Sequence, residues 1–479
     1  MSTENFSNRA LELALLALGI LFLGYAHFFA LREAPGLHFD EAWAMNFAHR
    51  IATEPGFWPL TAQSPYTSPW AHYWAALWMR IFGSELLVFR ASQVFFSFGG
   101  LLFLGLSLRD QGLRRAALWL PLSAALLPGL VLNHRFAIEL NGLHAFCFGL
   151  AIWGLRRAPW LSALAWIVGS TAHILFFALG LALLGALIWE KRELRRADRV
   201  LGFVSASILA GFFYRVYLLI PEKGKGFALF LVALLAAFAF LLPIQRWVPR
   251  QKWLDSAVGI VAAVFLANAL FFLEGSWSVA ISTGLKPWQG QGSIGLLLFL
   301  PLALFLVWRG TRELPRFARR WFLLGVIILG AMMLKAAPRY YETALLALTV
   351  FFALGFAALP ALQRWMALLL LALHAAWLYP LYFLTTPKEE SLYLLAWKDS
   401  SRDFLSKQAL VTVLGGSGCS LSDIKSVDSR VRESLLALSY GDWQQKAVCP
   451  YKELQVQRRA EADPIRGREE VADFVFWSP

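Results

Sequence analysis

The chain has 479 residues, of which 58% are hydrophobic, only 16% are charged and 21 are Trp, which excludes an ordinary soluble protein with one or two cores. Three widely separated cysteines, Cys147, Cys419 and Cys449, exclude a disulfide-rich scaffold and any CxxC pair, and leave one Cys419 to Cys449 bridge open. The formal net charge of +13 sits mainly in short turns between apolar runs, so membrane orientation accounts for it better than nucleic acid does.

Each apolar run of roughly 17 to 21 residues can cross a bilayer core as a helix. In chain order the predicted spans lie near 11-31, 84-107, 116-132, 137-155, 199-219, 227-243, 254-273, 293-308, 321-335, 341-359 and 366-383. The stretch 160-189 is too long for one ordinary span and is interrupted at Gly169-Ser170-Thr171, so it is expected to form two short tilted helices. About thirteen spans result. Alternate loops carry nineteen basic residues against nine in the other set, which places the richer set and the N-terminus in the cytoplasm. The first external loop, 32-83, and everything after 384 then lie outside. The first run lacks a small-residue cleavage pattern and is expected to be a span, with no cleavable signal peptide. Residues 384-479 change character. Ala409 to Gly416 has the pattern of a strand ended by a glycine turn, and Ser426 to Tyr440 has helical spacing, so a small extracytoplasmic α/β domain is expected beside a transmembrane domain at 1-383.

The first polar constellation is His38-Phe-Asp-Glu-Ala-Trp, directly after the first span. Asp40 suits the N-cap of a short helix starting at Glu41, and that structural use needs one carboxylate. A second acid where a span emerges could serve as a base at the membrane boundary, so Asp40 and Glu41 are the catalytic candidates. His38, Asp40, Glu41 and His49 also hold enough ligand atoms for a divalent metal, although their spacing matches no strong signature and no cofactor is required.

Between Gln63 and Trp78, Pro65 and Pro69 set an extended turn before an aromatic helix bearing His72, Tyr73, Trp74 and Trp78, with Tyr66 in the turn. An interfacial aromatic belt would look the same as a sugar- or prenyl-binding surface, which makes Tyr66, His72 and Tyr73 substrate-binding candidates. Asn133-His-Arg135 and Glu139 bracket the turn after span three, while Arg90 and Arg215 sit near the outer ends of their spans. Each is an ion pair or headgroup contact in the plain reading; jointly they could line an external cavity, with Glu139 toward substrate and the arginines toward a donor phosphate. The last constellation is Lys335 to Glu342, where Lys335 and Arg339 place two cations in a very short external turn beside Tyr340. Snorkelling toward headgroups competes there with binding of a phosphate or pyrophosphate.

With the acidic pair, the Ser64 to Trp70 segment followed by Arg80-Ile-Phe-Gly83 and Phe89-Arg90, and Ala337-Pro-Arg-Tyr-Tyr341, the chain resembles the GT-C class of membrane glycosyltransferases. It looks most like the branch holding protein O-mannosyltransferases and the lipid A aminoarabinose transferase. Thr67-Ser68-Pro69 stands where that branch has a His-Pro-Pro-like turn. The resemblance implies an all-α polytopic fold of GT-C type and transfer of a sugar from a polyprenyl-phosphate donor at the outer face of the bacterial inner membrane, usually with inversion. The acceptor would be a lipid-linked glycan, lipid A or a protein, with Asp40 as base and Arg339 and Lys335 stabilising the leaving phosphate. A lipid-linked donor also accounts for the lack of a glycine-rich phosphate loop and of an Asp-x-Asp motif. A transporter or flippase of lipid-linked sugars is the rival, but it would be expected to show internal repeats, and none is convincing here. A noncatalytic membrane scaffold would leave the polar turns unexplained.

Overall fold

The computed structural model describes residues 3-186 apart from positions 35, 61, 63-67, 136, 138-140, 173-175, 177, 178, 181 and 184, then 292-332, 342-384, 407-412, 424-426, 429-439, 454-458, 469-471 and 474-477. The predicted spans 199-219, 227-243 and 254-273 lie outside these residues. In chain order the helices are α1 (Thr3–Phe28), α2 (Phe39–Thr53), α3 (Trp70–Phe82), α4 (Leu86–Asp110), α5 (Arg114–Ala125), α6 (Pro128–Arg135), α7 (Asn141–Arg157), α8 (Pro159–Ala172), α9 (Gly292–Glu313), α10 (Arg316–Met332), α11 (Glu342–Ala358), α12 (Ala361–Leu384) and α13 (Ser429–Ser439). Four short strands follow the same numbering: β1 (Ile424–Ser426), β2 (Leu454–Arg458), β3 (Glu469–Val471) and β4 (Phe474–Trp477). They form one sheet in the order β1-β2-β4-β3, parallel between β1 and β2 and antiparallel elsewhere.

Among the described residues, α4 alone is long and apolar enough to cross a bilayer, and α5 with α6 passes the same test as a pair bent by 72°. That bend corrects the single straight span expected at 116-132. Pro128 starts the second piece, and a proline disfavours helical geometry in the residue before it, so the chain turns at Leu126-Leu127. Shorter apolar stretches occupy Glu12–Phe28, Pro159–Ser170, Leu345–Ala358 and Ala361–Ala376. Large apolar side chains face outward on three of these four stretches, while Leu345–Ala358 is buried. On α12, Leu362, Trp365, Met366, Leu369 and Leu373 recur at helical spacing and are all exposed, a stripe that water alone would penalise.

Inside, α5 packs against both α1 and α11, α4 against α7, and α9 against α11. The α4–α7 seam depends on missing side chains. A Cβ on Gly149 would overlap the Gly100 carbonyl, and a Cβ on Gly142 would overlap the Gln93 carbonyl. Gly142 and Gly149, seven apart on α7, thus let its backbone come close to that of α4. Gly310 and Gly355 make the equivalent approach between α9 and α11.

Between α1 and α4, α2 and α3 pack together as a hairpin. Phe47 and Ile51 of α2 bury against Ala76 of α3, flanked by Phe57 and Tyr73. Arg80 donates to the carbonyls of Ala52, at 3.0 Å, and Ile51, at 2.9 Å, so it satisfies the last turn of α2. On α3, Ala71, His72, Ala75 and Met79 are buried while Trp70, Leu77, Ile81 and Phe82 are exposed. This is the amphipathic division of a helix resting on an apolar boundary.

The C-terminal portion brings a second correction. Residues 409-412, expected as the start of a strand over Ala409 to Gly416, are part of a helix at 407-412, in which Lys407, Leu410 and Val411 bury together at spacing i, i+3 and i+4. The helix expected between Ser426 and Tyr440 is found at Ser429–Ser439.

Candidate functional site

The site is built where the chain leaves α1 and enters α2. The last carbonyls of α1 have no helical partner, and Ala30 adopts a left-handed φ of 48° as the backbone turns away. Arg135, at the end of α6, reaches across to this turn. Its guanidinium donates to the Ala26 carbonyl at 2.8 Å, to the Phe29 carbonyl at 2.7 Å, and to the Ala34 carbonyl. Arg90, one turn into α4, does the same for the next stretch, donating to the carbonyls of Leu31 (2.9 Å), Arg32 (3.3 Å) and Gly36 (2.6 Å). Two buried arginines from separate helices therefore hold one irregular segment of backbone in place.

Arg90 also closes a bidentate pair with Glu41. Nε lies 2.8 Å from Oε1 and Nη2 lies 2.7 Å from Oε2, and neither side chain is exposed at all. The Ala137 N–H adds a further bond to Oε1 at 3.2 Å. Two charges so far from water persist only because the fork geometry and the surrounding carbonyl and amide dipoles meet their hydrogen-bonding capacity. Glu41 thus joins α2 to α4, and its two oxygens are committed to that work.

Asp40, its neighbour, keeps a side chain that is one-quarter exposed. The expected capping pattern is corrected here. The helix begins at Phe39, His38 is the N-cap, and the Asp40 N–H donates to His38 Nδ1 at 3.1 Å. The reason is geometric: Asp40 lies inside the first turn, where its side chain is not needed for capping. Asp40 Oδ2 also approaches the same nitrogen at 3.5 Å, and the carboxylate lies in the first turn of α2.

Beneath the turn, His27 of α1 and His134 of α6 are both buried and linked, Nε2 to Nδ1, at 3.0 Å. The carbonyl of Leu23 accepts from His27 Nδ1 at 2.8 Å, so in the neutral ring His27 Nε2 is the acceptor and His134 Nδ1 the donor. His134 and Arg135 thus both tie the bent half of the α5–α6 pair to the end of α1. Sequence reasoning missed this link, and the only signal for it was the cost of a polar residue within an apolar run.

His72 and Tyr73 occupy the hairpin. His72 is buried with its ring edge-on to Phe47 at 4.9 Å, and Tyr73 donates to the Pro59 carbonyl at 2.9 Å and stacks on Trp58. Burial pushes His72 down to about 4, so it is neutral near pH 7. The native state then binds fewer protons than the unfolded chain between that value and about 6.5, and stability falls as pH drops through this window. The expected loss approaches about 3 kcal/mol by pH 4. Comparing melting temperatures from pH 7 to 4.5 checks it: the acid-dependent drop should shrink in His72→Gln, and an unchanged drop would remove His72 as the cause.

Tyr66, Glu139, Arg215, Lys335, Arg339 and Tyr340 lie outside the described residues. Among the described residues, no three His, Cys, Asp or Glu side chains are grouped to hold a metal ion. The site brings together Asp40, Glu41, Arg90, Arg135 and His38. Arg90 and Arg135, expected at a donor phosphate, have backbone carbonyls in their grip, and Arg90 has a carboxylate as well.

This arrangement of helices recurs in solved structures. The chain shares it with ArnT from Cupriavidus metallidurans bound to undecaprenyl phosphate, at 12% identity and a TM-score of 0.57, over 97% of this chain and 97% of that one. The same protein in the apo state is similar at 11% identity and a TM-score of 0.54, over 98% of each chain. The archaeal oligosaccharyltransferase AglB from Archaeoglobus fulgidus, in complex with an inhibitory peptide and a dolichol-phosphate, matches at 14% identity and a TM-score of 0.46, over 93% of this chain. This chain covers 62% of that enzyme's length. No protein-family model matches the sequence, and no curated protein matches it either.

Proposed function

We propose that the protein transfers a sugar from a polyprenyl-phosphate donor to an acceptor at the outer face of a membrane, with Asp40 as general base. The observation that carries this reading is a partly exposed carboxylate at the N-terminus of α2, held by the buried Glu41–Arg90 pair, in a fold shared with an ArnT structure that binds undecaprenyl phosphate. Outward apolar faces on α1, α4 and α12 support a membrane setting, which in the orientation read from loop charge places α2 and α3 outside and the N-terminus in the cytoplasm.

In the proposed step an acceptor hydroxyl oxygen attacks the anomeric carbon, the bond from that carbon to the phosphate oxygen breaks, and the phosphate leaves with the electron pair. Asp40 takes the hydroxyl proton, or orients an acceptor already ionised. Lys335 and Arg339 are the proposed partners of the departing phosphate, whose negative charge grows as the bond breaks. One direct displacement inverts the anomeric centre. Glu41, with both oxygens committed to Arg90, is assigned to positioning.

The test is purification of the full chain with its endogenous lipid, followed by mass spectrometry. A co-purifying polyprenyl-phosphate sugar is the expected result and would name the sugar. A consistently different class of lipid or solute in its place would overturn the reading.

A further inference from the structure

The helix that carries Asp40 is buried in an unusual way. Between Asp40 and Ala52 of α2, only Trp43 and Arg50 are exposed. A surface helix lying on a single neighbour buries one stripe and leaves the rest to solvent. α2 does not: Ala42, Ala44, Met45, Asn46, Phe47, Ala48 and Ile51 surround most of its circumference and all are buried. Phe47 and Ile51 face α3, and Glu41 points to Arg90 of α4. The third partner is α13, from the C-terminal portion of the chain, which packs directly on α2.

The sequence of α13 fits that use. Ser434, Leu435, Ala437 and Leu438 are buried, and the leucines join the same apolar cluster as Ala42, Ala44, Met45 and Ala48. Small side chains on both helices allow the close approach, while the two leucines supply the apolar bulk. The helical residues 407-412 also meet α13: Lys407 donates to Ser434 Oγ at 3.3 Å, and Leu410 and Val411 belong to the same cluster.

We infer that α13 is a positioning element of the sugar-transfer site: by packing on α2 it holds the helix that presents Asp40, so the C-terminal segment contributes to transfer without touching the reacting atoms. The catalytic half of this inference rests on the reading of Asp40 as the base; the structural half does not. The Glu41–Arg90 pair holds the first turn of α2, Arg80 holds its last and α3 packs along one side, while α13 covers a further side. A displacement of about 1 Å at a reacting group can cost on the order of a hundredfold in rate.

The experiment uses the full chain in lipid nanodiscs and the double variant Leu435→Ala/Leu438→Ala. Hydrogen–deuterium exchange of the peptide covering residues 41-52 is read against peptides of α4, beside kcat and the donor KM for transfer. Exchange in α2 should rise about tenfold or more with α4 unchanged, because truncating two buried leucines removes apolar packing from that face. In parallel, kcat should fall about tenfold at an unchanged donor KM, and Leu435→Met/Leu438→Met, which conserves volume, should restore both. Unchanged exchange in α2 overturns the inference, as does raised exchange with unaltered kcat, or a rise in acceptor KM alone, which would mark α13 as an acceptor contact. If α4 also loosens, the milder Leu438→Val is read by the same criteria. Absence of transfer in the wild-type chain would fail the functional reading, while the exchange data would still decide whether α13 holds α2.

Discussion

Arg90→Met is expected to be among the most damaging single substitutions in the molecule. It leaves the Glu41 carboxylate buried without its cation and takes the donor from the carbonyls of Leu31 and Gly36. Breaking one partner of such a pair costs about 3 to 5 kcal/mol, against a total stability on the order of 5 to 15 kcal/mol. The expected result is little folded protein and no transfer. Arg90→Lys should do little better, since an ammonium cannot reproduce the planar fork that serves a carboxylate and several carbonyls together. Glu41→Leu combined with Arg90→Met removes both charges, so the double variant should recover part of the melting temperature lost by Arg90→Met. Recovery should be partial, because the carbonyls remain without a donor. Simple additivity in that cycle would show that the pair is not coupled, and the account of Glu41 as a positioning residue would fail.

Asp40→Asn should have the opposite profile. The side chain is partly exposed, His38 provides the helix cap, and Asn is nearly isosteric with Asp, so melting temperature and retention of polyprenyl phosphate should stay close to the wild type. An amide cannot take the proton of the acceptor hydroxyl, and loss of a general base typically costs about 10²- to 10⁴-fold in kcat. Measured turnover with a defined donor would decide the point. Transfer within a few-fold of wild type would remove Asp40 from the chemistry and revive the transporter reading. The two substitutions therefore separate neighbouring acids that a sequence motif treats as one unit: Glu41 through stability, Asp40 through rate.

Asp40 sits on a frame made by α1, α2, α4 and α6. The close glycine seam between α4 and α7 holds that frame together by direct approach of the two backbones. Rigidity at the α1–α2 turn matters in the same way, because Arg135 and Arg90 hold an irregular backbone that has no ladder of its own.

The sequence by itself determined the helical character of the described residues, the approximate ends of their apolar runs, and the turn where an acidic pair follows the first of them. These features are local, because hydrophobic periodicity and run length depend on residues three to twenty apart. It also marked Arg90 and Arg135 as costly residues in need of partners, without naming those partners. Only the tertiary structure decided that Glu41 meets Arg90 across 49 positions, that Arg135 spends its donors on the end of α1, that His27 bonds to His134, and that α13 closes over α2. Each of these depends on how helices far apart in sequence cross one another. A buried charge states in the sequence that it must be neutralised, but which group does so is settled by packing.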